Sequence, residues 1–227
     1  MPLPAHIRDR LRIPVLAAPM YTVSGPELVI EQCKAGVIGA FPALNARPQE
    51  DLDKWLARIA TELTQYQREH PAKKVAPYAV NLIVNKSNRR LADDLNVVLK
   101  HQVPIVITSL SAPTDLVPRV HEYGGVVFHD VIKVRHAEKA LEAGVDGIIA
   151  VCAGAGGHAG TLSPFALVNE LRRIHKGPLV LAGAITNGDG ILAAEAMGCD
   201  LAYLGTRFIA STESMAVERY KQMIVDS

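Results

Sequence analysis

The sequence predicts an α/β protein, a closed (β/α)8 barrel of the TIM type. Eight short apolar runs recur along the 227 residues, and each is followed by a helical pattern. Strand-length runs alternating with helices imply a parallel sheet, because each crossover supplies a helix. No GxGxxG follows the first run, so the open dinucleotide-binding sheet loses its main support. The regular eightfold count then favours closure into one barrel domain spanning residues 1–227.

The runs are, in order, 14–20 (PVLAAPM), 37–44 (VIGAFPAL), 75–84 (VAPYAVNLIV) and 103–110 (VPIVITSL), then 125–132 (GVVFHDVI), 146–157 (DGIIAVCAGAGG), 178–185 (PLVLAGAI) and 201–211 (LAYLGTRFIAS). Several are continuously apolar, as strands covered on both faces are. The helix expected over about 50–69 places Leu52, Leu56, Ile59, Ala60 and Leu63 on one face at helical spacing. That over 134–143 carries an alanine-rich stripe and ends at Gly144, a fitting C-cap. Ser163 is a candidate N-cap with Pro164 at the first helical position. The stretch 81–90 (NLIVNKSNRR) is the longest polar-leaning connection and is expected to be a loop near the barrel mouth. Its Arg89–Arg90 pair, like Lys73–Lys74, reads as a solvated cap.

Charge narrows the function classes. The 24 basic and 23 acidic side chains leave a formal net charge of +1, with no electrostatic reason to expect nucleic acid or an anionic membrane. No run reaches the roughly 18 apolar residues of a membrane span. The first residues carry no apolar stretch typical of a signal peptide. Cys33, Cys152 and Cys199 form no metal-ligand spacing or disulfide framework. A reducing, cytoplasmic setting is the expectation, and a homo-oligomer is compatible with it.

In such a barrel, ligands bind where strands end and βα-loops begin. The loops after the seventh and eighth runs read LAGAITNGDG and LGTRF. Glycine lets backbone N–H groups approach a phosphate without a Cβ in the way, and the following helix N-termini add unpaired N–H groups. Gly183, Ala184, Gly205 and Thr206 are the candidates. A plainer reading makes these glycines simple turn residues. The loop CAGAGGHAG, 152–160, surrounds His158 with four glycines at a strand end. Imidazole, with an ordinary pKa near 6.5, suits proton transfer at neutral pH. Cys152 reads as a small buried strand residue. Asn81 could hydrogen-bond a planar heterocycle. His129 and Asp130 are sequence neighbours in a strand, so only one can face the barrel interior. No zinc spacing, paired carboxylates or nucleophilic triad appears. A phosphate site beside a single base fits a cofactor enzyme. It also fits a phosphosugar isomerase, and less well an aldolase, since Lys133 lies after rather than within its strand.

The stretches PVLAAPM, AVNLIV, VRHAEKALEAGVDGIIA, AGGHAG and LVLAGAITNGDGILAAEAMGCDLAYLGTRFIAS resemble the nitronate monooxygenase family, formerly the 2-nitropropane dioxygenases. The combination of GGHAG with GTRF is the most specific part of the likeness. The resemblance implies an FMN-dependent oxidoreductase that oxidises alkyl nitronates with molecular oxygen and does not require NADH. It implies that Ala18, Pro19 and Met20 lie by the flavin ring and that Asn81 hydrogen-bonds it. Gly156, Gly157, Gly183, Ala184, Gly205 and Thr206 would hold the phosphate end of FMN, and His158 would be the catalytic base. Two departures stand out. Family members often carry a lysine where this chain has Asp130, which would place a negative charge beside the cofactor. Typical members also continue into a further helical segment beside the active site, and this sequence is expected to lack that extension. Flavin-dependent enoyl-acyl-carrier-protein and quinone reductases share the glycine loops, so an NAD(P)H-dependent reductase is an alternative. A flavin-binding protein without turnover is another.

Overall fold

A computed structural model describes residues 3–157 and 160–227. Its eight parallel strands are β1 (Val15–Ala17), β2 (Gly39–Pro42), β3 (Tyr78–Val84), β4 (Ile105–Leu110), β5 (Val126–Val131), β6 (Gly147–Val151), β7 (Leu179–Ala182) and β8 (Leu201–Leu204). They form one sheet in the order β1-β8-β7-β6-β5-β4-β3-β2. First and last strands are hydrogen-bonded neighbours, with Val15 opposite Ala202 and Ala17 opposite Leu204. Between β1 and β2 the ring closes through Leu16 and Ile38, where the Ala17 N–H donates to the Ile38 carbonyl at 2.8 Å and the Ile38 N–H to the Val15 carbonyl at 3.1 Å. A sheet closed on itself has no long edge to protect.

The helices are α1 (Ala5–Arg8), α2 (Pro26–Lys34), α3 (Asp51–Glu69), α4 (Leu91–Lys100), α5 (Val117–His121), α6 (Val134–Glu142), α7 (Pro164–Ile174), α8 (Gly188–Ala196), α9 (Thr206–Ile209) and α10 (Glu218–Val225). In a strand, alternate side chains face opposite sides. One set, including Val80, Val106, Val127, Ile148, Leu181 and Ala202, packs outward on the helices. The predicted stripe of α3 is buried there through Leu52, Leu56, Ile59 and Leu63. The other set fills the barrel with Leu16, Ile107, Phe128, Ile149, Val180 and Leu201.

Several boundaries differ from the sequence expectation. The eighth run stops as a strand at Leu204, and its TRFI portion is the helical turn α9. The first four residues of the 81–90 stretch are strand, since β3 runs to Val84. Ser163 does occupy the N-cap position of α7, but its side chain makes no capping hydrogen bond. Arg90 is not a solvated cap. Its guanidinium donates to the carbonyls of Ala46 (2.9 Å) and Ala43 (3.2 Å) and pairs with the buried Asp94 (2.9 Å), tying the start of α4 to the loop after β2.

The N-terminal end of the barrel is closed by α1. Leu3, Ile7 and Leu11 join the interior cluster. Arg10 Nε donates to the Val75 carbonyl at 2.8 Å and Lys74 Nζ to the Leu11 carbonyl at 3.0 Å, fixing this segment to the chain entering β3. Ile7 is fully buried. Removing most of its side chain leaves a cavity, and such truncations cost about 2–5 kcal/mol. Ile7→Ala should lower unfolding stability by that order in a denaturant titration, and a loss below about 0.5 kcal/mol would show that α1 is not part of the core.

Candidate functional site

The strands deliver their C-terminal ends to one rim. The interior there changes from apolar to polar. Asn81 on β3, Ser109 on β4 and Asp130 on β5 follow the inward positions Ala79, Ile107 and Phe128 at a spacing of two residues. They form a directed chain. Asn81 Nδ2 donates to Ser109 Oγ at 2.8 Å, and Ser109 Oγ donates its only proton to Asp130 Oδ2 at 2.6 Å. Asn81 Nδ2 also reaches the Ile107 carbonyl at 3.3 Å. Asp130 Oδ1 is shut off from solvent and has no hydrogen-bond partner among the described residues.

Burial, partly offset by the Ser109 hydrogen bond, pushes the Asp130 carboxyl up to about 6. The negative charge expected from sequence is therefore conditional: this group exchanges its proton close to neutrality. Tyr203, inward on β8, is the partner across the mouth that sequence reasoning missed. Burial, and then the charge of Asp130, raise its phenol well above the usual range, so it stays neutral.

His129 faces the other way, as only one of the pair can enter the barrel. It is buried in the outer layer, where its Nδ1 lies 2.8 Å from Thr108 Oγ1. Burial, then the neighbouring His136, lower it to about 4, so it is neutral and structural. Cys152 is buried and its thiol is pushed up to about 11 by burial, the state of an inert packing residue.

Around this floor the structure gathers the glycine-rich ends of β6, β7 and β8 and the end of β1. Gly183 has φ +142°, and a Cβ there would lie 2.7 Å from the Ala153 carbonyl oxygen, so glycine is what lets the β6 and β7 loops abut. The Ala184 N–H donates to the Gly154 carbonyl at 3.1 Å across the same junction. Gly205 faces Ala18 and Met20 on the β1 loop, and the Ala18 N–H donates to the Leu204 carbonyl at 2.8 Å. These glycines thus join neighbouring loops. Gly156, Gly157 and Gly188 face open space instead. Ala184, Thr206 and Arg207 are exposed beside them, at the N-terminal ends of α8 and α9. Asn187 caps α8 through its side chain to the Gly190 N–H at 3.0 Å.

The β1 loop is held from below. Asn45 Nδ2 donates to the carbonyls of Met20 (2.9 Å) and Ser24 (2.8 Å), and its Oδ1 accepts from the Thr22 N–H (2.9 Å). Pro19 and Met20 are thereby fixed at the rim, half-buried. His158 lies outside the described residues. Its loop returns at the buried Gly160, where a Cβ would meet the Val151 carbonyl oxygen at 2.4 Å. No group of acidic, histidine or cysteine side chains among the described residues could hold a metal ion.

The raised Asp130 pKa has a stability consequence with a definite sign. Folding favours the protonated form, so the native state loses stability as pH rises from the ordinary carboxyl value of 3.8 to about 6, and stays lower above that. Asp130→Asn keeps the shape and removes the titration. The variant should exceed the wild type by up to about 3 kcal/mol at pH 7–8 and match it near pH 4. Urea titrations across that range measure the gap, and a gap independent of pH would contradict a shifted carboxyl.

Comparison with known proteins agrees with this architecture. Residues 7–227 match the family model described as nitronate monooxygenase. The chain is 30% identical to a nitronate monooxygenase of Paraburkholderia phytofirmans, covering 93% of this chain and 67% of that protein. It is 27% identical to (3aS,4S,5R,7aS)-5-hydroxy-7a-methyl-1-oxo-octahydro-1H-indene-4-carboxyl-CoA dehydrogenase of Rhodococcus jostii, over 92% of this chain and 55% of that one. Among solved structures, FabK from Thermotoga maritima superimposes with a TM-score of 0.84 at 30% identity, covering 99% of this chain and 68% of FabK. Nitroalkane oxidase from Streptomyces ansochromogenes shares the fold, with a TM-score of 0.76 at 24% identity over 94% of this chain and 71% of that one. The chain belongs to the nitronate monooxygenase family of oxidoreductases.

Proposed function

We propose that the rim binds one FMN and that the protein oxidises alkyl nitronates with molecular oxygen. The carrying observation is the polar floor at the mouth of an apolar barrel, with a buried carboxyl oxygen that has no partner among the described residues and open glycines beside it. A planar heterocycle with polar edges fits that floor. Asn81 has its amide fixed by Ser109 and Ile107 and presents its remaining polar capacity to the ring. Asp130 supplies a second polar contact. Ala18, Pro19 and Met20, held by Asn45, form one wall. Gly156, Gly157, Gly183, Ala184, Gly205 and Thr206 surround the phosphate end, where exposed backbone N–H groups and two helix N-termini favour an anion. When bound, the flavin supplies the electron transfer between substrate and oxygen, chemistry that no side chain here provides.

The protein's own task is then to position substrate over the ring and to manage a proton. A nitroalkane is acidic at the carbon bearing the nitro group, and His158 is the base that takes that proton. Asp130 and Tyr203 complete the mouth. Among the described residues this floor carries no cluster of charges, which suits a small organic substrate. The partners are accordingly that substrate and oxygen. No helix among the described residues is long and apolar enough to cross a membrane.

A general base contributes roughly 10²- to 10⁴-fold. His158→Asn should therefore lower kcat/KM for a neutral nitroalkane by that order, while a preformed nitronate, already deprotonated, is largely spared. Both substrates are measured on protein with matched flavin content. Equal losses would leave His158 a binding residue. Flavin-dependent NADH oxidation with no nitronate turnover in the wild type would replace the monooxygenase reading with the reductase one.

A further inference from the structure

The chain Asn81–Ser109–Asp130 runs from amide to carboxyl. Ser109 Oγ accepts from Asn81 Nδ2 and donates its single hydrogen to Asp130 Oδ2. Oδ2 is therefore an acceptor, and a proton on this carboxyl belongs on Oδ1. That is the oxygen shut off from solvent with no partner among the described residues. A buried polar atom left unpaired is costly, more so if charged, so a carboxylate at Oδ1 is the costlier state. Apart from the Ser109 hydrogen bond, nothing among the described residues around Asp130 favours ionisation. The strands flanking β5 present Ser109 from β4 and the apolar Ile149 and Val151 from β6. Tyr203 from β8 is neutral, and Asn81 from β3 carries no charge. His129 on β5 itself faces the outer layer.

We propose that Asp130 is a carboxylic-acid hydrogen-bond donor of the ligand site, its Oδ1 proton directed to an acceptor atom on the edge of the bound flavin ring. The inference rests on the flavin reading above and deepens it. A ring laid across the mouth removes the remaining water from Asp130, and desolvation favours the neutral acid further. The group then does without fixed charge what a cation beside the ring would do. It donates to the ring edge, and the donation strengthens when the ring gains negative charge on reduction. Substrate or product anions meet a donor rather than a repelling carboxylate. Ser109 is the positioning residue, because its committed hydrogen is what sends the acid proton to Oδ1.

Two measurements test this on the purified full chain. The first needs no flavin: difference infrared spectra between wild type and Asp130→Asn, at pH 5 and pH 8, in the protonated-carboxyl region. A carboxyl band lost in the variant is expected at pH 5, and its absence at pH 5 overturns the neutral acid. The second is the midpoint potential of the FMN-loaded protein for wild type, Asp130→Asn and Asp130→Ala from pH 5 to pH 9. Asparagine offers an N–H donor in the same place, so wild type and Asp130→Asn should coincide at the acid end, with Asp130→Ala lower. Wild type should fall below Asp130→Asn only where Asp130 loses its proton, at a pH higher than in the flavin-free protein. A constant gap at every pH would mean a fixed carboxylate, and three identical profiles would mean that Asp130 does not touch the ring; either overturns the proposal. If no flavin binds, the function reading and the donor role fail together, and the infrared band then shows separately whether the acid is neutral.

Discussion

The structure depends on what eight strands place inside a closed ring at each level. Every second residue must enter the barrel, and the interior admits no loose packing. At the N-terminal end and the middle those positions are apolar, sealed by Ile7 and its neighbours. At the C-terminal end three consecutive strands bring in Asn81, Ser109 and Asp130. A carboxyl group at that depth is tolerated because Ser109 answers one oxygen and Asn81 holds Ser109. The other oxygen has no partner among the described residues. The chemistry of the mouth follows from that unequal satisfaction.

This arrangement changes the meaning of Asp130. Read as a sequence letter, Asp130 is a negative charge. In the barrel its pKa lies near 6. Its electrostatic character is set by burial and by one hydroxyl, and a lysine's donor capacity can be matched by an acid that keeps its proton. The glycine loops also acquire a second meaning. Gly183 lets adjacent loops abut and Gly205 packs against the β1 loop, while Gly156, Gly157 and Gly188 leave the rim open. The rim is thus the joint product of close loop packing and exposed backbone.

Much of the fold was legible in the sequence because parallel strands buried on both faces write themselves as apolar runs, and α3 repeats its leucines at helical spacing. The junction of first and eighth strands followed from the count of units. The ends were less legible. The GTRF segment looks like strand continuation, but the chain turns into α9 immediately after Gly205. Arg90 looks like a surface charge until the carbonyls of Ala43 and Ala46 are seen beside it. Within the site, sequence established that His129 and Asp130 face opposite ways but not which one enters; register against β4 and β6 decides that. Tyr203 went unnoticed, although it shares strand parity with the inward Leu201. Parity applied to LAYL would have found it. Ser109 was visible only as a polar strand end, since its role lies in a bond between strands.

The central claim is that this rim is built for one FMN. Its most direct test is to equilibrate the purified protein with a mixture of FMN and FAD, remove unbound ligand, denature, and identify and count what is released by mass and visible absorbance. The account predicts FMN at one per chain, with FAD excluded. Release of FAD alone, or of no flavin, would contradict it.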